Sequence, residues 1–143
     1  MAVTLDQITY ANSLRPTPCS MMREFADDNV LNSDLEGLWG TLLGGTAWLL
    51  QTRQDLAVYV ASLQRKTGKA TVLHMKRLNR VVTYAQRHAV KLEYHQIPEP
   101  RKLLAIADSA YQSQAEGDPL VMKGALWCWG SQNLNETVGI KFQ

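Results

Sequence analysis

From Thr71 to Ile97 the chain reads TVLHMKRLNRVVTYAQRHAVKLEYHQI, and its hydrophobic period changes once. Leu78, Val81, Val82, Ala85 and Ala89 recur at three- and four-residue steps, which predicts one face of a helix from about Thr71 to Ala89. Lys76, Arg80, Thr83 and Arg87 recur at similar steps nearly opposite that face, so the cations form a stripe. After Val90 the step drops to two. Lys91-Leu92-Glu93-Tyr94-His95-Gln96-Ile97 alternates as a strand does. The switch predicts an α+β chain, with a helical region over 1–90 and a sheet region over 91–143.

The elements before this stretch read as helices. Thr4-Leu5-Asp6-Gln7 has the form of a capping box opening a short helix to about Leu14. Arg15-Pro16-Thr17-Pro18 ends it, because each proline biases the residue before it away from the helical region. Residues 16–32 read as a polar connection. Ser33-Asp34-Leu35-Glu36 is a second capping box, opening a helix to about Thr52 with Leu35, Leu38, Leu42 and Leu49 in its stripe. Gly37, Gly40, Gly44 and Gly45 each cost about 1 kcal/mol relative to Ala there. They predict close approach by a neighbouring element, or a break near Gly44-Gly45. Asp55 is placed to cap a third helix that stops near Gly68.

The elements after it read as strands. Leu103-Leu104-Ala105-Ile106-Ala107-Asp108 is an apolar run expected to be a buried strand, and Gly124–Trp129 is another. Gln112–Pro119 reads as a polar loop, and Val138–Phe142 as the start of a further strand. Trp127 and Trp129 fall on one strand face. With Trp39 and Trp48 they are expected in the core rather than on a base-stacking surface.

A chain of 143 residues accommodates one domain or two small subdomains. With 45% hydrophobic and 20% charged residues, it is neither a disordered tail nor a collagenous chain. Cys19 and Cys128 do not make a disulfide framework. No apolar run approaches the ~18 residues of a membrane span, and Met1–Asp6 lacks the basic and apolar segments of a secretory leader. An intracellular protein, nuclear or cytoplasmic, with no membrane partner is expected. The net charge of +2 conceals an asymmetry: −4 over residues 1–60, +8 over 61–102 and −2 over 103–143. The basic block suits an anionic partner, of which nucleic acid is the commonest.

The resemblance lies in four places. Leu42-Leu43-Gly44-Gly45-Thr46-Ala47-Trp48-Leu49-Leu50-Gln51-Thr52-Arg53-Gln54-Asp55-Leu56-Ala57 resembles the segment after the reverse transcriptase palm in copia-type LTR retrotransposon Pol polyproteins, usually L-L-G-x-x-x-W-L-x-x-x-T-R-x-D-[LI]. Gln54 stands where that family often has proline. Met75–Tyr84 is similar to the family's basic helix, and Ala105–Tyr111 to its first RNase H strand. Thr4–Gln7 with Tyr10 is similar to the segment just after the palm. The resemblance implies a helical thumb/connection portion running into the first strands of a truncated RNase H-like mixed sheet.

It also implies a site. Asp108 would be the first RNase H-type carboxylate, in a cluster that holds Mg2+ in the intact family. The other family carboxylates come from later elements, and Glu116, Asp118 and Glu136 do not match them. A single carboxylate holds magnesium poorly. The chain is therefore expected to be a catalytically inactive fragment that binds no Mg2+ of its own, with Asp108 vestigial. Arg65, Lys66, Lys69, Lys76, Arg80 and Arg87 are the candidates for phosphate contacts to an RNA–DNA hybrid or duplex. A free-standing nucleic-acid-binding module, and a non-enzymatic interaction protein or remnant with an open sheet edge near Trp127 and Trp129, are the alternatives.

Other chemistries find little support. Phe25-Ala26-Asp27-Asp28 has the letters of a polymerase metal hairpin but not its apolar flanking strands. His74, His88 and His95 have no partner at metal-ligand spacing, and His74 is expected to pack on the apolar side of its helix. No phosphate loop, nucleophile elbow or dinucleotide fingerprint is present.

Overall fold

The computed structural model describes residues 2–111 and 121–131, and the chain is α+β. The elements are β1 (Ala2–Asp6), α1 (Ile8–Ser13), α2 (Ser33–Trp48), α3 (Ala57–Gln64), α4 (Val72–Arg87), β2 (Lys91–His95), β3 (Arg101–Tyr111) and β4 (Val121–Ser131). Short 3-10 turns at Cys19–Met22, Leu49–Gln51 and Gln54–Leu56 join the helices. Contacts divide the chain into Ala2–Tyr94 and a second unit that begins at His95. Strand β2 pairs with β1, which keeps residues 91–94 with the helices rather than with the later strands.

The core of the first unit is the shared apolar side of α2, α3 and α4. Leu35, Trp39, Leu42 and Leu43 meet Val60 and Leu63, and both groups meet Met75, Leu78, Val82 and Ala85. Each large side chain buried this way stabilises the fold by about 1.5–3 kcal/mol. Val72 and Met75 extend the α4 stripe beyond the expected residues, whereas Ala89 lies past the helix and is exposed. Polar residues of α4 then fix what precedes it. Asn79 accepts from Thr17 N–H at 2.9 Å and donates to Thr17 O at 2.8 Å. Gln86 donates to the carbonyls of Ala11 and Leu14 at 3.1 and 2.9 Å. Residues 16–32 are thus more than a polar connection: Thr17 and Met22 are buried.

The first expected helix is corrected. Ala2–Asp6 is a strand, and α1 starts only at Ile8. Thr4 caps nothing, because its backbone is committed to the pair with β2. Asp6 instead accepts from Ile8 N–H at 3.1 Å. The second helix is capped one residue early, by Asn32, whose side chain accepts from Leu35 N–H at 2.9 Å. Asp55 does not cap α3 but pairs with Arg53.

Helix α2 runs unbroken through Gly44-Gly45. Only Gly45 has the close neighbour expected of these glycines. A Cβ there would lie 2.8 Å from Leu14 Cδ2 and 3.3 Å from Tyr10 Oη, and Tyr10 donates to Gly45 O at 3.2 Å. A Cβ at Gly37, Gly40 or Gly44 would meet open space. Gly40→Ala is therefore expected to stabilise the first unit by about 0.5–1 kcal/mol through helix propensity alone. At Gly45 the same gain is opposed by displacement of Leu14, so Gly45→Ala is expected to give no stabilisation. Urea midpoints of the two variants check the contrast.

His74 is half-buried and serves as the N3 residue of a capping box on α4, not as a core residue. Its Nδ1 accepts from Thr71 N–H at 3.0 Å, which requires that nitrogen to be unprotonated. Burial, with the nearby charges of Lys66 and Arg77, holds the imidazole below its ordinary value of 6.5. A base whose folded value is lowered contributes stability that is complete above 6.5 and is lost as pH falls through the lowered value. Gln at this position keeps an acceptor but has no proton to gain. His74→Gln is expected to flatten the acid side of the stability profile between 6.5 and the lowered value, as measured by thermal unfolding across pH.

The second unit contains a two-stranded antiparallel ribbon. Leu103 faces Trp129, Ala105 faces Trp127 and Asp108 faces Gly124 in its register. That places Leu103, Trp127 and Trp129 on one face, as the spacing of the tryptophans predicts. The expectation of a buried strand and buried tryptophans is not met there. Leu103 and Ile106 are exposed, and Trp127 and Trp129 are 65% and 62% exposed. A two-stranded ribbon is a single layer and cannot by itself bury an apolar run, and among the described residues β3 pairs with β4 alone. Trp48 is exposed as well, at the end of α2, and Trp39 alone of the four is in the core. The expected loop at 112–119 and strand at 138–142 lie outside the described residues.

Candidate nucleic-acid interface

Helix α4 carries the candidate surface because its other side is fully used. With Val72, Met75, Leu78, Val82 and Ala85 in the core, the outward residues are Arg77, Arg80, Tyr84 and Arg87, with Lys76 and Thr83 half-buried beside them. Lys76, Arg80 and Arg87 line one groove of about 470 Å3, together with Asn79, Thr83, Tyr84 and His88 and with Cys19 and Met22 from the 3-10 turn. Arg65, Lys66 and Lys69 lie outside that groove, exposed on the turn that follows α3 and reverses at Gly68 (φ +79°). The six sequence candidates therefore fall into two groups of three, all on α4 or on the turn leading into it.

Lys76 is already engaged. Its Nζ donates to Asp27 Oδ1 at 2.6 Å. The loop holding Asp27 is fastened to the start of α4, since Leu73 N–H donates to Asp27 O at 2.9 Å and Val72 N–H to Asn29 O at 3.0 Å. Thus Phe25-Ala26-Asp27-Asp28 forms no metal hairpin: Phe25 packs on the core and Asp27 holds a lysine. The side chains of both partners of this ion pair reach solvent, so it is weak and a phosphate competes with it readily.

Arg53 positions the far end of the helix. It is only 4% exposed. Nε and Nη2 donate to the two carboxylate oxygens of Asp55 at 2.9 and 2.8 Å. Nη1 donates to the carbonyls of Ala85 and His88 at 3.1 and 2.7 Å, in the last turn of α4. A cation there satisfies orphan carbonyls and complements the negative end of the helix dipole. The Arg–x–Asp spacing thus has a local cause, because the fork needs one carboxylate within reach to compensate a buried charge. The hydrogen bonds from Arg53 hold the Asp55 carboxyl below its ordinary 3.8, against the opposing effect of its burial.

Arg77, Tyr84 and Tyr59 join the surface although none is among the sequence candidates, and so does His88, which the sequence offers only as a histidine without a partner at metal-ligand spacing. Arg77, Arg80, Tyr84 and His88 follow each other at steps of three and four, a second stripe beside the cationic one. The Tyr84 and His88 rings lie 4.4 Å apart at 33°, and Arg53 Cζ lies 5.7 Å from the Tyr84 centroid. Tyr59 and Ser62 of α3 line a second groove with Arg77, Arg80, Val81 and Tyr84, of about 610 Å3.

Asp108 lies in β3 opposite Gly124. Glu116, Asp118 and Glu136 fall outside the described residues. Among the described residues no three His, Cys, Asp or Glu side chains come together as a metal site, and no helix is long and apolar enough to cross a membrane. No family model matches this chain, and no curated protein or solved structure matches it.

Proposed function

We propose that this chain holds nucleic acid by its backbone through the basic side of α4, as the thumb/connection portion of a copia-type retroelement polyprotein. One observation carries the reading: Lys76, Arg80 and Arg87 line a single groove on a helix whose opposite side is core. Such a row of cations meets successive phosphates and gives affinity without reading sequence. Arg53 at one end of α4 and the capping box at the other keep the row in place. An RNA–DNA hybrid or duplex is the proposed partner, with Arg65, Lys66 and Lys69 reaching phosphates farther along.

The β3–β4 ribbon is, on this reading, the opening of an RNase H-like mixed sheet with Asp108 as its first carboxylate. That carboxylate would contribute to a Mg2+ site in the intact polyprotein, and this chain alone would hydrolyse nothing. Titration of a labelled RNA–DNA hybrid across salt concentrations tests the binding. Six phosphate contacts give a slope of about −5 in log affinity against log salt. Absence of binding at low salt would refute the proposal. Magnesium-dependent hydrolysis of the hybrid, abolished by Asp108→Asn, would refute the inactive reading.

A further inference from the structure

The groove between α3 and α4 is unlike the phosphate groove beside it. Its lining joins the apolar side chains of Leu56, Leu63 and Val81 to the two tyrosines Tyr59 and Tyr84. Three tyrosines are exposed among the described residues, and two of them line this groove. Tyr59 is 59% exposed and Tyr84 48%. Tyr84 is held in place by the His88 ring and the Arg53 guanidinium. Arg77 and Arg80 stand on the α4 side. Asp55 also reaches the groove, but its two oxygens are taken by the Arg53 fork, so the local field stays positive.

Arg80 and Tyr84 line both grooves. They form a ridge with phosphate-binding cations on one side and an aromatic slot on the other. A strand tracking Lys76, Arg80 and Arg87 by its phosphates passes Arg80, which also borders that slot. A base inside a duplex cannot enter it, because both its faces are stacked. An unpaired base can, and stacking on a tyrosine is available to any base, so the slot adds no sequence preference. The volume is that of a small-molecule site.

We propose that the Tyr59–Tyr84 groove receives an unpaired nucleobase, so that the chain prefers a hybrid carrying a single-stranded tail. This rests on the backbone-binding reading above and adds to it a substrate class. The test compares three labelled RNA–DNA hybrids in the full chain: blunt, with a short oligothymidylate tail, and with an abasic tail of equal length. The two tails have equal charge and differ only in bases. The thymidylate tail is expected to bind about tenfold more tightly than the abasic one. Tyr59→Ala is expected to erase that difference, and Tyr59→Phe to retain most of it. Tyr59 contributes nothing to the core, so the alanine variant folds. Equal affinity for the two tails, with Arg87→Glu still weakening all three hybrids, would overturn this inference and leave the backbone reading intact. So would a groove occupied by a second copy of the chain, seen as a dimer that Tyr59→Ala separates without changing tail discrimination. Failure of all three hybrids to bind at low salt would overturn both.

Discussion

Replacing Lys76, Arg80 and Arg87 together by glutamate is expected to lower affinity for an RNA–DNA hybrid by about a hundredfold or more at low salt, and to make the salt slope shallower by about three. Three phosphate contacts are lost, and three anions are set in the groove that held them. The folded state should persist, because Arg80 and Arg87 are exposed and Lys76 gives up only a solvent-screened pair with Asp27. Asp27→Asn provides the opposite change. It frees Lys76 for phosphate and is expected to raise affinity a few-fold. Anisotropy titrations at several salt concentrations measure both. An affinity unmoved by the triple reversal would place the nucleic acid elsewhere or nowhere on this chain.

Arg53→Met is expected to destabilise the helical unit by about 3 kcal/mol. The substitution leaves the carbonyls of Ala85 and His88 without their donor and leaves the Asp55 carboxylate without its fork. Lysine should not rescue it, because a point charge cannot serve two carbonyls and a bidentate carboxylate at once. Asp55→Asn should cost less, since that side chain is partly solvated. The Arg53–Asp55 pair also sets an acid limit. A carboxyl held low in the folded chain contributes stability that is complete above its ordinary value of 3.8 and is lost as pH falls through the lowered one. Asp55→Asn should therefore remove part of the stability loss between 3.8 and the lowered value. Urea denaturation of the single and double variants yields the coupling between the two side chains.

Periodicity made the helices legible because each buries one stripe. The α4 stripe could be read from Leu78, Val82 and Ala85, and the change of step at Val90 separated helix from strand. Ala2–Asp6 is not legible as a strand because Thr4-Leu5-Asp6-Gln7 satisfies a capping pattern and an alternation at once. A distant partner, β2, decides between them, and no local pattern encodes it. Leu103 to Ile106 forms the expected strand, and only its expected burial fails, for a related reason. A continuous apolar run says what a strand is able to bury, not that something covers it.

The surface was legible by charge and not by shape. Lys76, Arg80 and Arg87 stood out as cations at helical spacing. Tyr84 and His88 share that spacing but read as ordinary helix residues, and Tyr59 comes from another helix altogether. Arg53 was visible only as part of a resemblance. That one guanidinium binds both Asp55 and the end of α4 depends on a contact across more than thirty residues. Glycine spacing in α2 marked four candidate approaches, yet only Gly45 has one, since the neighbour that makes it matter is α1.

Backbone binding by α4 is tested most directly by following the amide resonances of the chain while an RNA–DNA hybrid is added at low salt. Shifts are expected to gather on the outward residues from Lys76 to His88 and on the turn from Arg65 to Lys69, and to reverse as salt is raised. Shifts confined to β3 and β4, or none anywhere, would contradict it.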